Sequence, residues 1–142
     1  NHELTGINVT LPFKQKIINQ TDKIVNDAQS TGSVNTILLD NDKVIGENTD
    51  VFGLQAAYLK EIDNCSGKNT LVIGAGGVSP SVILSLKKSG IKKISITNRT
   101  NEKCMDMHGH YRESHVRERK HQGACEISEG RKVSRTAASI SR

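Results

Sequence analysis

A lysine and an aspartate, Lys14 and Asp50, are the residues of this chain best suited to acid–base chemistry on a small polar substrate. Lys14 comes two residues after Pro12, whose ring restricts the backbone that carries the amine. Asp50 stands at a predicted helix start, where a carboxylate ordinarily acts only as a cap. If the two side chains meet, the lysine could pass a proton to or from a substrate oxygen while the carboxylate holds it in place.

A glycine-rich turn between a strand pattern and a helix pattern indicates a phosphate-binding site. Its residues are Gly74, Ala75, Gly76 and Gly77. Here a dinucleotide pyrophosphate would meet backbone N–H groups and the positive end of a helix, and glycine lets the backbone approach the phosphate. Ser79 occupies the sixth position, where this fingerprint has Gly or Ala, so the match is imperfect.

The end of the next predicted strand indicates which dinucleotide would bind. Enzymes that use NAD place an Asp or Glu there to hold the ribose hydroxyls. This chain has Asn98, Arg99 and Thr100 instead. No carboxylate repels a 2′-phosphate, Arg99 could pair with one in a fork, and its two neighbours could donate hydrogen bonds. We therefore expect NADP as the cofactor.

Hydrophobic periodicity around the lysine and the aspartate predicts alternating strands and helices. Residues 4–10 alternate as a short strand, and residues 15–20 and 21–30 have helical spacing. Residues 34–39 and 43–46 predict two strands of a hairpin, because the residues between them favour a tight turn.

A helix and a βαβ unit are predicted to follow the hairpin. Thr49 or Asp50 is expected to cap the helix. Its predicted apolar stripe comprises Phe52, Leu54, Ala57, Tyr58 and Ile62. Residues 70–73, 78–89 and 93–97 then predict a strand, a helix and a second, parallel strand. The fold class is therefore α/β.

The composition of the 142 residues narrows the class of protein. Only 3% of the residues are aromatic, so the core must be aliphatic. Three irregularly spaced cysteines do not make a disulfide framework, which favours a reducing, cytoplasmic location. No apolar run approaches the roughly 18 to 20 residues of a membrane span, so no membrane partner is expected.

The chain changes character after about residue 103. Residues 104–142 contain no Asn, Leu or Phe but hold most of the Arg and His. We expect this basic tail to be frame-shifted or disordered, and unable to supply the apolar face of a further strand and helix. The predicted organisation is a partial substrate-binding domain in residues 1–66, the opening βαβ of a Rossmann-type domain in residues 67–103, and the tail.

The composition of the tail also suggests two further kinds of site, a metal site and a nucleic-acid interface. Its candidate zinc ligands are Cys104, His108, His110, His121 and Cys125. Their spacing fits no common zinc finger, so we expect no metal site. The basic stretch at residues 112–120 lacks interleaved aromatic residues, and no specific nucleic-acid partner is expected.

Five separate segments, in this order and spacing, resemble the signature stretches of shikimate dehydrogenase. They are residues 8–14, 33–36, 48–50, 74–77 and 98–100. The resemblance covers residues 4–103. It implies NADPH-dependent reduction of 3-dehydroshikimate to shikimate, a step of aromatic amino acid biosynthesis.

The resemblance also implies roles for individual residues. Lys14 and Asp50 match the catalytic pair, with Lys14 serving the reacting oxygen. Thr10 and Asn35, together with the pair, match positions that bind the substrate. The family's loop that grips the substrate carboxylate and its nicotinamide-side segments have no counterpart here, so we predict that this chain alone is weakly active or inactive.

Two alternatives stay open at the level of sequence. One is a quinate-type dehydrogenase of different specificity on the same scaffold. The other is a non-catalytic module that binds a nucleotide or nucleic acid. The sequence makes no prediction of oligomeric state.

Overall fold

The computed structural model describes residues 4–62 and 64–100, together with the backbone of residues 115–118 and 124–128. The first part contains a four-stranded sheet in the order β1-β3-β4-β2. Its strands are β1 (Gly6–Asn8), β2 (Lys23–Ile24), β3 (Thr36–Asp40) and β4 (Lys43–Glu47). β3 is antiparallel to β1 and β4, whereas β2 runs parallel to β4.

Helices connect the strands of this sheet and lead out of it. Two are 3₁₀-helices, at Lys16–Gln20 and Leu59–Glu61, and two are α-helices, α1 (Asp27–Thr31) and α2 (Asp50–Ala57). The turn between β3 and β4 places Asn41 and Asp42 at φ values of 47° and 62°. These left-handed conformations match the twist of a tight hairpin, so the predicted hairpin is confirmed.

The second sheet has the order β5-β6-β8-β7. Its elements along the chain are β5 (Asn69–Ile73), α3 (Ser79–Lys88), β6 (Lys93–Thr97), β7 (His115–Glu118) and β8 (Ala124–Ser128). β5 and β6 are parallel and α3 crosses between them, which confirms the predicted βαβ unit and the α/β fold class. Gly90 follows α3 closely and has a φ of 75°, a conformation that glycine adopts without steric cost.

Two segments of the predicted tail belong to this sheet. β8 pairs antiparallel with β6, and β7 pairs antiparallel with β8. The expectation that residues 104–142 could not extend the sheet is therefore wrong for these two strands. Strand pairing uses backbone N–H and C=O groups, which a polar composition does not remove. The expected lack of order elsewhere in the tail concerns residues that lie outside the described part of the chain.

The prediction of a helix over residues 21–30 is wrong in its first half. Lys23 and Ile24 form β2, and the amide of Val25 donates to the carbonyl of Gly46 at 3.0 Å. The helix begins only at Asp27. Pairing with β4 supplies hydrogen-bond partners that the local helical pattern does not reveal.

The predicted apolar stripe of α2 is also wrong. Phe52 and Tyr58 are 71% and 67% exposed, and Ile62 lies beyond the helix. The buried residue of α2 is Val51, whose carbonyl accepts a hydrogen bond from Ser85 of α3 at 3.0 Å. The helix buries a different side than the one the spacing indicated, because Val51 at its start contacts α3.

The aliphatic core predicted from the composition consists of two clusters. One packs Ala28, Val34 and Ile37 beneath the first sheet. The other lies between α3 and the second sheet and contains Cys65, Ala75, Ile83, Leu86, Ile91, Ile94 and Ile96. In the part of the chain that the structure describes, no helix is both long enough and apolar enough to cross a bilayer.

Candidate active site

The structure brings Lys14 and Asp50 together. Lys14 Nζ lies 2.7 Å from Asp50 Oδ2, and the two side chains are 13% and 24% exposed. Lys14 sits in the turn that follows β1, and its carbonyl accepts a hydrogen bond from Val34 N at 2.8 Å. Because Val34 is buried in the first cluster, the backbone of the lysine is anchored to the core.

Asn35 holds the other carboxylate oxygen of Asp50. Its Nδ2 donates to Asp50 Oδ1 at 2.8 Å, and its Oδ1 accepts from Thr49 N at 2.9 Å. One carboxamide therefore contacts both the first residue of α2 and the residue before it. With Lys14 on Oδ2 and Asn35 on Oδ1, the Asp50 carboxylate is held on both sides.

Thr10 lies on the same loop as Lys14 and directly follows the residue that pairs with Asn35. The preceding residue, Val9, donates its amide to the carbonyl of Asn35 at 2.7 Å. Thr10 itself is exposed, and its carbonyl accepts from Phe13 N at 2.9 Å. The four predicted substrate-side residues thus come from two adjoining loops and the start of α2, while their contact with a substrate stays a prediction.

Asn48 completes this group, and the sequence reasoning missed it. It is only 4% exposed, and its Oδ1 accepts from Asp50 N at 3.0 Å. The side chains of Thr49 and Asp50, which were predicted to cap α2, make no capping bond. The high rank of Asn among helix caps was the available signal. We call Lys14, Asn35, Asn48 and Asp50 the catalytic corner.

The glycine turn has the geometry that a phosphate site needs. Gly74 has a φ of 108°, which only glycine adopts readily, and its amide donates to Thr97 O at 2.7 Å. Among the described residues, and apart from each glycine's neighbours in sequence, no atom lies within 4 Å of where a Cβ would stand at Gly74 or Gly76. The turn is therefore open on the side that a ligand would approach.

Ser79, the imperfect position of the fingerprint, supports the turn. It is buried, and its Oγ accepts from Gly76 N at 2.9 Å and donates to Gly74 O at 3.1 Å. Among the residues of the two long described ranges, no acceptor faces the amide N–H groups of Gly77 and Val78. These two donors stand at the start of α3, where the helix dipole favours an anion.

The loop after β6 lies against the glycine turn. Asn98 Oδ1 accepts from Ala75 N at 3.2 Å, and Asn98 Nδ2 donates to Thr100 O at 3.0 Å. Arg99, between them, is exposed. The asparagine thus ties this loop to the turn, and the arginine is presented beside it. We call residues 74–77 and 98–100 the cofactor turn.

The catalytic corner and the cofactor turn adjoin each other. A Cβ at Gly77 would collide with the side chain of Leu11, which belongs to the loop that carries Lys14. The absence of a side chain at Gly77 therefore lets this loop approach the turn. A substrate held by the catalytic corner and a nucleotide held by the turn would lie close to each other.

Metal binding has no support among the described residues, which contain no group of three or more candidate ligands. The side chains of the five candidate zinc ligands lie outside the described part of the chain. Cys65, the one cysteine whose side chain is described, is free and buried.

Two family models match this chain. The shikimate dehydrogenase substrate binding domain matches residues 1–37, and shikimate / quinate 5-dehydrogenase matches residues 56–128. The second match extends past residue 103 and includes β7 and β8.

Individual relatives agree with the family models. Shikimate dehydrogenase (NADP(+)) of Pelagibacter ubique is 40% identical over 114 residues, which are 80% of this chain and 43% of that protein. The crystal structure of shikimate dehydrogenase from Aquifex aeolicus superposes with a TM-score of 0.71 and 39% identity, over 77% of this chain and 41% of that chain. A shikimate dehydrogenase solved in complex with NADP+ gives a TM-score of 0.68 and 40% identity, over 75% and 37%. The chain therefore spans less than half the length of the relatives it matches.

Proposed function

Because this chain belongs to the shikimate dehydrogenase family, we propose that it serves the NADPH-dependent reduction of 3-dehydroshikimate to shikimate in aromatic amino acid biosynthesis. The observation that carries the proposal is the contact between Lys14 and Asp50, 36 positions apart in sequence and 2.7 Å apart in space. The contact lies beside a glycine turn suited to a dinucleotide, so acid–base and cofactor functions converge in one place.

The proton-transfer role falls to Lys14. When bound, the reduced nicotinamide supplies a hydride to the carbonyl carbon of the substrate. Lys14 Nζ donates a proton to the carbonyl oxygen as the C–O bond becomes single, and it regains a proton from solvent. Asp50 orients the ammonium group through Oδ2, and Asn35 fixes Asp50 through Oδ1. Oxidation of shikimate uses the same contacts in reverse.

Substrate binding uses the groups around this pair. The Thr10 hydroxyl and the Asn35 carboxamide are of the type that binds substrate hydroxyls, and both lie on loops next to Lys14. Asp50 accepts a further hydrogen bond from a substrate hydroxyl, since each carboxylate oxygen has two lone pairs. The small-molecule partner is thus held by side chains that the protein also orients internally.

Cofactor binding uses the cofactor turn. The N–H groups of Gly77 and Val78 would hold the pyrophosphate at the start of α3, and the open face of Gly76 would let it approach. Arg99 would pair with the 2′-phosphate, with Thr100 as a second donor. These residues fit NADP better than NAD, because no carboxylate stands at the end of β6.

This chain is shorter than its relatives, which bears on how much activity it has by itself. Since it covers 43% of the Pelagibacter relative, the weak or absent activity of this chain by itself stays a prediction. The cytoplasmic location, which rests on the cysteine content, also stays a prediction. Quinate is the alternative substrate, because one matching family model carries both names.

Titration of the purified chain with NADPH, with NADH as the control, tests the proposal first. A charge-assisted bond to the 2′-phosphate predicts about tenfold or greater preference for NADPH, measured by cofactor fluorescence. Equal affinity for the two nucleotides would contradict the role of Arg99. Absence of binding would contradict the cofactor assignment altogether.

Reduction of NADP+ at high enzyme concentration then separates the candidate functions. Shikimate should support NADPH formation above the rate without protein, and quinate should support less. A faster rate with quinate would favour the quinate-type dehydrogenase. NADPH binding without turnover of either substrate would agree with the predicted inactivity of this chain by itself, and it would give the dehydrogenase no advantage over the non-catalytic nucleotide-binding module.

A further inference from the structure

Asn48 is a buried polar side chain that occupies the junction between the two sheets. It follows β4 directly, and it contacts residues of α1, of α3 and of the loop before β3. Its Nδ2 lies 2.8 Å from Ser33 O, 3.0 Å from Ser81 Oγ and 3.2 Å from Thr31 Oγ1. Two hydrogens are thus shared among three acceptors, so the donor side of the carboxamide is satisfied.

The oxygen of the same carboxamide faces the start of α2. Asn48 Oδ1 accepts from Asp50 N at 3.0 Å and from Val51 N at 3.4 Å. Neighbouring carbonyl and amide groups fix which end of the carboxamide is nitrogen and which is oxygen, since a flipped carboxamide would oppose Ser33 O with an oxygen. Asn48 therefore acts as the cap of α2, in place of the two residues after it.

Three successive amides at this helix start are held by two asparagines. Asn35 Oδ1 accepts from Thr49 N, and Asn48 Oδ1 accepts from the next two amides. The backbone of Asp50 is therefore fixed by Asn48, while its carboxylate is fixed by Lys14 and Asn35. These constraints are independent, because they act on different atoms of Asp50.

The connection to Ser81 extends this constraint to the cofactor side. Ser81 is buried in the first turns of α3, the helix that begins at the cofactor turn. One side chain thus links the start of α2, which carries Asp50, to the helix whose N-terminus faces the nucleotide phosphates.

We propose that Asn48 is a positioning residue, whose carboxamide sets the Asp50 backbone so that the carboxylate meets Lys14 at ion-pair distance. The effect of Asn48 on catalysis rests on the proposed function. Its effect on the Lys14–Asp50 contact does not depend on that function. Asn48 acts through Asp50 and does not itself touch the substrate.

The test compares Asn48→Ala with Ser81→Ala in the full chain. Asn48→Ala removes the cap and leaves the amides of Asp50 and Val51 without their acceptor. Ser81→Ala removes a hydroxyl that lies 3.0 Å from Asn48 Nδ2 and 3.2 Å from Asn48 Oδ1, but it leaves both capped amides and the other two acceptors of Nδ2 in place. Circular dichroism establishes the folded fraction of each variant, and every result is expressed per folded molecule.

The primary measurement is hydrogen exchange of the Lys14 ammonium group, followed by ¹⁵N NMR. Its exchange should accelerate about tenfold or more in Asn48→Ala, since the ion pair that shields it is displaced, and should change less than about twofold in Ser81→Ala. Unchanged exchange in folded Asn48→Ala would overturn the inference, as would equal acceleration in both variants. If Asn48→Ala does not fold, Asn48→Ser serves, because serine retains a capping oxygen with less reach.

Turnover supplies the catalytic readout. Shikimate-dependent NADPH formation per folded molecule should fall about 10- to 100-fold in Asn48→Ala while affinity for NADPH stays within twofold. Full turnover in this variant would overturn the inference. Failure of the proposed function has a different signature: the unaltered chain would form no NADPH from shikimate, while the Lys14 exchange measurement would still decide the role of Asn48.

Discussion

The catalytic corner and the cofactor turn differ in how the protein satisfies their polar groups. In the catalytic corner, Asp50 contacts Lys14, Asn35 and Asn48, and the protein supplies every one of these partners. In the cofactor turn, Arg99 is exposed and the space beside Gly76 is open. One region is organised internally, and the other is arranged around a space that a ligand would fill.

This difference predicts two kinds of response to substitution. A group held in position before the substrate arrives contributes to the reaction rate, because its orientation entropy is already lost. A group that faces solvent contributes mainly to affinity, because its partner arrives with the ligand. Substitutions in the catalytic corner should therefore lower turnover, and those in the cofactor turn should weaken nucleotide binding.

Replacing Lys14 should give the largest effect. Lys14→Ala removes the proton donor, so shikimate-dependent NADPH formation should fall by about 10² to 10⁴, the usual contribution of general acid–base catalysis. Affinity for NADPH should stay within twofold. Lys16→Ala, which removes an exposed lysine two residues later, is the matched control and should retain the wild-type rate. Retention of turnover in Lys14→Ala would remove the catalytic corner from the mechanism.

Replacing Arg99 should give a smaller effect of the other kind. Arg99→Ala should weaken NADPH binding about tenfold, since one charge-assisted contact to the 2′-phosphate is lost, and should leave NADH binding unchanged. The preference for NADPH should also fall with rising salt in the unaltered chain, because Arg99 is exposed. Equal losses for NADPH and NADH would place Arg99 outside the 2′-phosphate site.

The sequence predicted the elements whose signals are local. The hairpin turn at residues 40–42 and the crossover helix with Pro80 in its first turn carry their own residue signatures. The tight turn at Gly74 was predictable for the same reason, since glycines after a strand report directly on backbone geometry. The proximity of Lys14 and Asp50 was only a hypothesis, because no local rule brings residues 36 positions apart into contact.

The errors arose where distant partners decide local structure. β2 is a strand because β4 pairs with it, and β8 is a strand because β6 offers an open edge. Asn48 was overlooked because its role depends on Ser33 and Ser81, which approach it from a loop and a helix distant in sequence. A polar residue that is buried by distant parts of the chain has no signature within its own segment.

Two buried serines behind the catalytic corner offer the finest test of internal organisation. Ser85 Oγ donates toward Val51 O at 3.0 Å and Ser81 O at 2.9 Å. Ser33 Oγ, equally buried, has no partner among the described residues, although its carbonyl accepts from Asn48. Alanine at either position removes one buried hydroxyl. Comparing the two variants therefore gives the contribution of the Ser85 hydrogen bonds to the free energy of unfolding.

Ser85→Ala should lower the free energy of unfolding by about 1 kcal/mol, because Val51 O loses its buried donor. Ser33→Ala should leave it unchanged or raise it by up to about 1 kcal/mol, since no bond is lost and a desolvated hydroxyl is removed. Urea unfolding of the two variants beside the unaltered chain measures both values. An equal loss of stability in both variants would mean that Ser33 Oγ has a hydrogen-bond partner in solution, such as a buried water. The polar groups behind Asp50 would then be satisfied by water as well as by protein atoms.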